Sequence, residues 1–180
     1  MEEFLKAVYR MKERKAPGKN GLPIEAFKAL NSSLLQLLYD ILLPFWTDMK
    51  CDPEAWHDVI LRLIPKKKDL NQPKNWRPIC LIDVLMKIIS SIIATRLDDY
   101  LVNKIGLPEQ NGFSTARGCS DGTTSVKIAL QNLKAAGQDA YVLFVDLVKA
   151  FDSVNREMLW KILRKMGVPD SLISVIKKLY

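Results

Sequence analysis

One stretch of the sequence decides the fold: Tyr141-Val142-Leu143-Phe144-Val145-Asp146-Leu147-Val148-Lys149-Ala150-Phe151-Asp152. Its first eight residues are apolar or aromatic apart from a single carboxylate, Asp146. A continuous apolar run of this length, rich in Val and Phe, is typical of a strand buried on both faces. The sequence therefore predicts a buried strand over residues 140–147, followed by a helix.

Asp146 would be a charge at the end of that buried strand. A buried carboxylate is costly unless a cation, a set of hydrogen-bond donors or a metal ion lies beside it. One interpretation is structural, with Asp146 accepting backbone hydrogen bonds where the strand ends. The other is chemical, with Asp146 serving as a general base or a metal ligand, because perturbed carboxylates also mark functional sites.

The composition predicts a globular domain with an anionic partner. The chain has 180 residues, 48% of them hydrophobic, which is enough for one domain or most of one with a sizeable core. Its 27 Lys and Arg against 20 Asp and Glu give a net charge of +7. The basic residues cluster in 1–20 and 62–77, which favours nucleic acid first and a membrane surface second.

The cysteine and histidine content excludes several other classes of protein. Three scattered cysteines and the lone His57 form neither a zinc pattern nor a secreted disulfide framework. No signal peptide is recognisable, and no apolar run reaches the ~20 residues of a membrane span. We therefore expect an intracellular protein, in the nucleus or the cytoplasm, that does not contact a membrane.

Periodicity and turn residues predict a mixed α/β (α+β) fold with these elements: helix 2–14, loop 15–23, helix 24–30, a largely buried helix towards Pro44, an antiparallel hairpin of 59–64 with 76–81, a long helix capped by Asp83, an irregular segment 106–118, a helix capped by Ser120 or Asp121, the buried strand, a helix capped by Asp152 or Ser153 that stops at Gly167, and a last helix from Pro169. The sequence ends inside that last helix, which predicts an incomplete domain. Without a His or Cys cluster, a metal at Asp146 would be a hard, oxygen-liking ion such as Mg²⁺, which prefers one or two protein carboxylates together with substrate phosphates.

Five sequence blocks, in order, resemble the reverse transcriptases of non-LTR (LINE-like) retrotransposons. They are Ala16–Pro23, Ile64–Lys66, Asn75–Ile79, Gln110–Phe113 with Arg117 and Asp121, and Phe144–Val154. The resemblance implies a partial right-hand polymerase fold, with helical and β-hairpin fingers and an incomplete palm. It places the fingers and early palm helices at about 1–135 and the first catalytic palm strand with its helices at about 136–180.

The resemblance also implies residue roles. Asp146 would be the catalytic residue and a ligand of a two-ion Mg²⁺ site, while Phe151 would exclude a 2′-hydroxyl from the incoming dNTP. Ala150 would allow close approach of the triphosphate, and Lys66 and Arg77 would hold it. Three groups of residues would lie along the template: Lys67 and Lys68, the early loop with Gly18 and Gly21, and Gln110–Phe113 with Gly112. Leu147 and Val148 would offer backbone groups to the triphosphate. Asp152 would cap a helix. The partners would be an RNA template, a DNA primer and dNTP, in an oligomeric state that the sequence does not define.

The chain also departs from the family pattern. Asn20 stands where the early block usually has Asp, and Val148 where a polar residue is common. The second catalytic block, an aromatic-x-Asp-Asp turn, does not occur in these 180 residues. One aspartate cannot hold two ions about 3.5–4 Å apart, so the chain alone is not expected to polymerise.

Three interpretations therefore remain open. The chain is either part of an RNA-directed DNA polymerase that is active in the intact parent, or a non-catalytic nucleic-acid-binding remnant of a decayed or co-opted element. A group II intron-type or domesticated reverse transcriptase is a third, weaker alternative.

Overall fold

The structure is a computed structural model that describes residues 1–47, 58–66, 69–104, 110–113 and 117–180, with the side chains of 102–104 left out. The helices within these ranges are α1 (Glu2–Arg10), α2 (Ile24–Lys28), α3 (Ser32–Thr47), α4 (Val84–Lys104), α5 (Cys119–Ala135), α6 (Arg156–Lys165) and α7 (Asp170–Lys177). The strands are β1 (Ile60–Pro65) and β2 (Trp76–Leu81), preceded by a short 3-10 turn over Pro73–Asn75. The predicted mixture of helices and a small antiparallel sheet is confirmed.

The described chain divides into two compact units. The first comprises Met1–Thr95 with Asp170–Tyr180, and the second comprises Arg96–Pro169.

The core of the first unit is built from one apolar stripe on each of its helices. The buried side chains include Phe4 and Val8 of α1, Leu35, Leu42 and Phe45 of α3, Ile88, Ile89, Ile92 and Ile93 of α4, and Ile173 and Ile176 of α7. The 3.6-residue period of these positions puts each set on one side of its helix. The last helix is tied to α3, because Lys178 Nζ donates to the Phe45 carbonyl at 2.7 Å and lies 5.0 Å from its ring centroid.

The antiparallel hairpin has the predicted pairing. Its register sets Ile60 opposite Leu81 and Pro65 opposite Trp76. Residues directly opposite one another share a face, and alternate residues along a strand point to opposite faces. One face therefore carries both arginines, with Ile60, Arg62, Ile64, Arg77, Ile79 and Leu81. The other face carries uncharged residues: Leu61, Leu63, Pro65, Trp76, Pro78 and Cys80.

The buried strand predicted for 140–147 is wrong in this structure. The segment has no regular secondary structure, and Tyr141 and Phe144 are 97% and 87% exposed. A strand buried on both faces needs a neighbour on each edge and cover on each face. Within the described ranges the sheet contains only β1 and β2, so the apolar run has the composition of a buried strand but nothing that pairs with it.

Several helix ends also differ from prediction. Helix α1 stops at Arg10 rather than residue 14, because the chain becomes extended at Met11. Helix α3 runs past Pro44 to Thr47 and is less buried than expected, with Ile41 65% exposed. The cap of α6 is Asn155, whose side chain accepts the Met158 N–H at 3.0 Å, so neither Asp152 nor Ser153 caps it.

Other helix boundaries match the predicted signals more closely. Asp83 immediately precedes α4, and its backbone carbonyl accepts the Lys87 N–H at 3.1 Å. The N-cap of α5 is Gly118, whose N–H donates to the Asp121 carboxylate at 2.7 Å, so Asp121 acts from inside the first turn. Gly167 ends α6 at φ +82°, a conformation that glycine adopts without strain.

Candidate functional site

Asp146 lies in the exposed, irregular segment that precedes a series of turns over 148–153. The argument that a buried charge requires a partner therefore does not apply to it here. No group of three or more His, Cys, Asp or Glu side chains that could hold a metal ion forms within the described ranges. A single exposed carboxylate does not fit a two-ion site, so no chemical step through a metal follows from this geometry.

The turn that follows Asp146 orders Ala150 and Phe151. Lys149 adopts a positive φ of 51°, and its carbonyl accepts the Ser153 N–H at 2.9 Å. The Ser153 hydroxyl donates to the Ala150 carbonyl at 3.1 Å, so that carbonyl is occupied within the turn. Leu147 and Val148, like Ala150, are exposed.

Phe151 brings two of the sequence blocks together. Its ring meets the ring of Phe113 edge to face, with the centroids 6.3 Å apart and an interplanar angle of 88°. This is a favoured geometry for an aromatic pair. Phe151 nevertheless remains 81% exposed, so the alternative that it is a core aromatic does not hold in this structure.

The block Gln110–Phe113 also packs against α5. A Cβ added to Gly122 would lie 2.9 Å from the amide nitrogen of Asn111, so the glycine leaves room for that side chain. Gln110 Nε2 donates to the Gly112 carbonyl at 2.8 Å and closes the turn. None of the residues of α5 is buried, although Val126 and Ile128 are apolar.

Lys66 lies at the turn end of the hairpin, next to the last strand pair, and is used partly for structure. Its backbone N–H donates to the Asn75 carbonyl and its Nζ donates to the Lys74 carbonyl, both at 2.8 Å. Asn75 is buried and donates from its side chain to the Asp69 carbonyl at 2.5 Å. These bonds explain why Lys66 and Asn75 occur where the hairpin turns. Lys67 and Lys68, expected along the template, lie outside the described residues.

Arg77 is the more available of the two predicted triphosphate-binding cations. It lies on β2 opposite Ile64, is exposed, and has no hydrogen bond or ion pair from its guanidinium to any described residue. Arg62 lies on the same face, in the strand pair two steps along the ladder, and is also exposed. Diagonal neighbours of this kind are about 7–8 Å apart. Sequence analysis did not assign a role to Arg62, although the even spacing of Arg62 and Ile64 on β1 could have placed it beside Arg77.

The early loop 15–23 is held firmly in place. The Asn20 N–H donates to Asp83 Oδ1 at 3.2 Å, and Lys19 Nζ forms an ion pair with Asp58 Oδ2 at 2.5 Å. This hydrogen-bonded pairing raises the pKa of Lys19 above its usual 10.5. Gly18 is buried against Asp83, where a Cβ would overlap the backbone.

Asn20 replaces the family's aspartate without loss of the turn. Its side-chain oxygen accepts the Leu22 N–H at 3.0 Å, which is the hydrogen bond of an Asx-turn. Either Asn or Asp makes this bond. The amide adds no second negative charge near Asp83, whose carboxylate already receives the Asn20 N–H.

Just upstream, the segment 11–14 is fixed to α2. Lys28 Nζ donates to the Met11 carbonyl at 2.8 Å and to Glu13 Oε1 at 3.0 Å. The Arg14 N–H donates to Glu25 Oε1 at 2.5 Å, and this hydrogen bond holds the pKa of Glu25 below its usual 4.5.

The chain resembles known proteins over most of its length. Residues 64–180, more than half of the chain, match the family "Reverse transcriptase (RNA-dependent DNA polymerase)". A Pol polyprotein from the type-2 retrotransposable element R2DM of Drosophila melanogaster is 26% identical over 92% of the chain. The 149 kDa protein of transposon TX1 from Xenopus laevis and a probable RNA-directed DNA polymerase from transposon BS of Drosophila melanogaster are each 28% identical over the whole chain.

The chain spans 15%, 14% and 18% of the length of these three relatives, respectively. The matched residues contain β2, the segment with Asp146, and the aromatic pair of Phe113 and Phe151. The resemblance of the five sequence blocks to non-LTR retrotransposon proteins is thereby confirmed, and the chain belongs to the reverse transcriptase family.

Proposed function

We propose that the chain is the fingers and first palm portion of a retrotransposon RNA-directed DNA polymerase. The observation that carries the proposal is the family match over residues 64–180, which includes the fingers strand β2 and the carboxylate Asp146. In the intact parent, the activity is Mg²⁺-dependent addition of dNTPs to a DNA primer on an RNA template. The division at about residue 135 between fingers with early palm helices and the catalytic strand is part of this proposal, as is an intracellular location.

The chain's own residues have binding and positioning roles in this proposal. Arg77 holds a phosphate of the incoming nucleotide, because its exposed planar fork can bridge two phosphate oxygens. Lys66 adds charge at the turn end of the hairpin, although its ammonium already donates to the Lys74 carbonyl. Phe151 packs against the sugar, and Ala150 permits close approach of the triphosphate.

Asp146 is proposed as a metal ligand that requires further carboxylates. Mg²⁺ held there by Asp146 together with further carboxylates would supply charge stabilisation for nucleotidyl transfer. The described residues offer no second and third carboxylate beside Asp146, so the remaining ligands are assigned to the rest of the parent protein.

The proposal is tested in the intact parent protein by Asp146→Asn. Primer extension on an RNA template should be lost, whereas thermal stability should be nearly unchanged because the side chain is exposed. Asp152→Asn is the matched control, since this carboxylate is also exposed and is not proposed as a ligand. A variant Asp146→Asn that still extends primers would remove Asp146 from the catalytic group, and a large fall in melting temperature would instead favour the structural interpretation.

The second candidate is a nucleic-acid-binding remnant without catalysis. It is favoured by the one observation that Asp146 stands alone, without the metal-holding group that catalysis needs, in the described ranges. Both candidates predict salt-dependent binding of primer–template, because phosphate contacts dominate that affinity. Only the polymerase incorporates nucleotides when Mg²⁺ is added to the intact parent protein, so this assay separates them.

No helix in the described ranges has the length and apolar character that crossing a bilayer requires.

A further inference from the structure

Two exposed aromatic side chains, Phe113 and Phe151, contact each other within the second unit. Their rings meet edge to face with the centroids 6.3 Å apart, an arrangement in which the positive edge of one ring lies against the negative face of the other. Phe113 is nevertheless 97% exposed and Phe151 is 81% exposed. The pair therefore lies outside the core, and most of each ring is open to a ligand.

Folding alone does not explain why a phenylalanine occupies position 113. Its exposed ring gains little from burial, and its backbone has a φ of 60°, which is unfavourable for a bulky residue. Glycine would adopt the same backbone conformation without that cost. Strained residues of this kind persist where the surrounding structure holds them, and they are concentrated at functional sites. What the described chain offers this ring is the contact with Phe151.

The turn that carries Phe113 is held by contacts of its own. Gln110 Nε2 donates to the Gly112 carbonyl at 2.8 Å. Asn111 packs against α5 at Gly122, where a Cβ would lie 2.9 Å from the amide nitrogen of Asn111. These contacts fix the main chain immediately before Phe113, so its ring is presented to Phe151 from a fixed position.

The backbone around Phe151 is also fixed, but its hydrogen bonds do not orient the ring. The Phe151 carbonyl accepts the Val154 N–H at 3.3 Å, and the Ala150 carbonyl accepts the Ser153 hydroxyl at 3.1 Å. The phenyl group can still rotate about χ1 among staggered positions, and exposed side chains exchange between these within picoseconds to nanoseconds. A ring that excludes a hydroxyl by its bulk has to stay in one position, and the contact with Phe113 favours one.

We propose that Phe113 is a positioning residue for sugar discrimination, because its ring holds the ring of Phe151 where it excludes a nucleotide with a 2′-hydroxyl. This inference rests on the proposed function, in which Phe151 packs against the sugar of the incoming dNTP. It differs from a template contact, since Phe113 then acts through Phe151 on the choice between dNTP and rNTP. The affinity for the template strand does not depend on that choice.

The test is the ratio of kcat/KM for a dNTP to kcat/KM for the matching rNTP, measured by primer extension with the intact parent protein. Phe113→Leu keeps an apolar side chain but removes the ring, and it should lower this ratio about 2- to 12-fold, the range that one edge-to-face contact represents. The change should come from a higher kcat/KM for the rNTP, with that for the dNTP near the wild-type value. Phe113→Tyr keeps the ring and should keep the ratio. Phe113→Gly fits the positive φ without strain and should lower the ratio at least as much as Phe113→Leu.

Tyr141→Leu is the matched control. This aromatic side chain belongs to the same unit and is also 97% exposed, but its ring is not part of the pair. Its ratio should equal that of the wild-type protein. Phe151→Leu should lower the ratio by itself, and adding Phe113→Leu should lower it no further, because both residues act through one ring.

The outcomes separate this inference from the proposed function. A parent protein that extends no primer, or Phe151→Leu with the wild-type ratio, would remove the sugar contact, and the inference would fail with it. If Phe151→Leu lowers the ratio and Phe113→Leu does not, the positioning role of Phe113 alone is overturned. Equal losses of kcat/KM for dNTP and rNTP in Phe113→Leu would make Phe113 a template or folding residue and would also overturn the proposal.

A second measurement requires no activity. In the 180-residue chain, the NMR shifts of the Phe151 ring protons should change in Phe113→Leu, because the ring current of the neighbouring phenyl group is lost. They should stay near the wild-type values in Phe113→Tyr and in Tyr141→Leu. Unchanged shifts in Phe113→Leu would show that the rings do not meet and would overturn the proposal.

Discussion

Gly18→Ala tests whether the early loop is fixed by its contact with the start of α4. A Cβ at this position would lie 2.6 Å from the Ile82 carbonyl carbon and closer still to the backbone nitrogen and carboxylate of Asp83, whereas real Cβ contacts essentially never fall below 3.0 Å. Two of these three neighbours are backbone atoms, so they cannot swing away. The loop must therefore move as a whole.

The magnitude follows from what that movement breaks. Overpacking of this kind costs about 1–3 kcal/mol, and the displaced loop also weakens the hydrogen bond from Asn20 to Asp83, which brings the expected loss to about 2–4 kcal/mol. Gly112→Ala is the matched control, because its nearest neighbour would be 3.8 Å away and the cost should stay within about 0.5 kcal/mol. Gly21→Ala is intermediate at about 1–2 kcal/mol, since the space is open but φ is +71°.

The assay is urea unfolding of the three variants and the wild-type chain, with hydrogen exchange at the Asn20 amide as a local readout. Exchange there should accelerate in Gly18→Ala and stay unchanged in Gly112→Ala, because only the first breaks the bond to Asp83. Equal stability of Gly18→Ala and Gly112→Ala would refute the reasoning, and so would an Asn20 amide that exchanges at the wild-type rate in Gly18→Ala.

Three further outcomes are expected. Asn155→Ala should lower the free energy of unfolding by about 1 kcal/mol in urea unfolding, because the Met158 N–H at the start of α6 loses its acceptor; no loss would mean that water replaces this cap. Arg77→Ala should lower both the affinity for primer–template and its salt slope, the latter by about 0.7–0.9, and an unchanged slope would remove Arg77 from the binding surface. Because the pKa of Glu25 is lowered in the folded chain, its carboxylate stabilises the fold above pH 4.5, and this stabilisation is lost as the pH falls through the lower folded-state pKa. Glu25→Gln should therefore be less stable than wild type at neutral pH and should lose less stability on acidification. Urea unfolding between pH 3 and 7 measures this, and parallel curves for the two proteins would contradict it.

The hairpin could be predicted from the sequence because its signals are local. Pro65 ends one apolar run, Pro73 and Asn75 form the turn, and Trp76 begins the second run. Each of these residues restricts the backbone through its own chemistry, so no distant contact has to be known. The register, and with it the shared face of Arg62 and Arg77, needs the pairing of two strands and was not assigned in advance.

The segment 140–147 could not be predicted in the same way. Its composition records a preference for burial, but burial on both faces depends on what lies beside it. The described residues supply no neighbouring strand, and the side chains of Tyr141 and Phe144 remain in solvent. Similarly, Asp152 and Asn155 are both good capping residues, and only the backbone geometry at residue 155 decides between them.

The net charge of +7 is better understood once the basic residues are divided by what they contact. Lys6, Lys19 and Lys28 are paired with carboxylates, and the ammonium groups of Lys66 and Lys87 donate to backbone carbonyls. In contrast, Lys12, Lys15, Arg62 and Arg77 have no such contact with any residue that the structure describes. A phosphate that binds one of the four unpaired cations does not have to displace another acceptor. A phosphate that binds one of the five paired lysines competes with the carboxylate or carbonyl that the lysine already contacts.

This division ranks Arg77 above Lys66 as a phosphate-binding residue, although both were predicted from the sequence to hold the triphosphate. Both residues carry a positive charge and lie near the same end of the hairpin, so neither charge nor position explains why one would bind phosphate better than the other. What separates them is that binding a phosphate at Lys66 breaks or weakens its bond to the Lys74 carbonyl at the turn end of the hairpin. The contribution of Lys66 to phosphate affinity is therefore reduced by the cost of that bond, and the contribution of Arg77 is not.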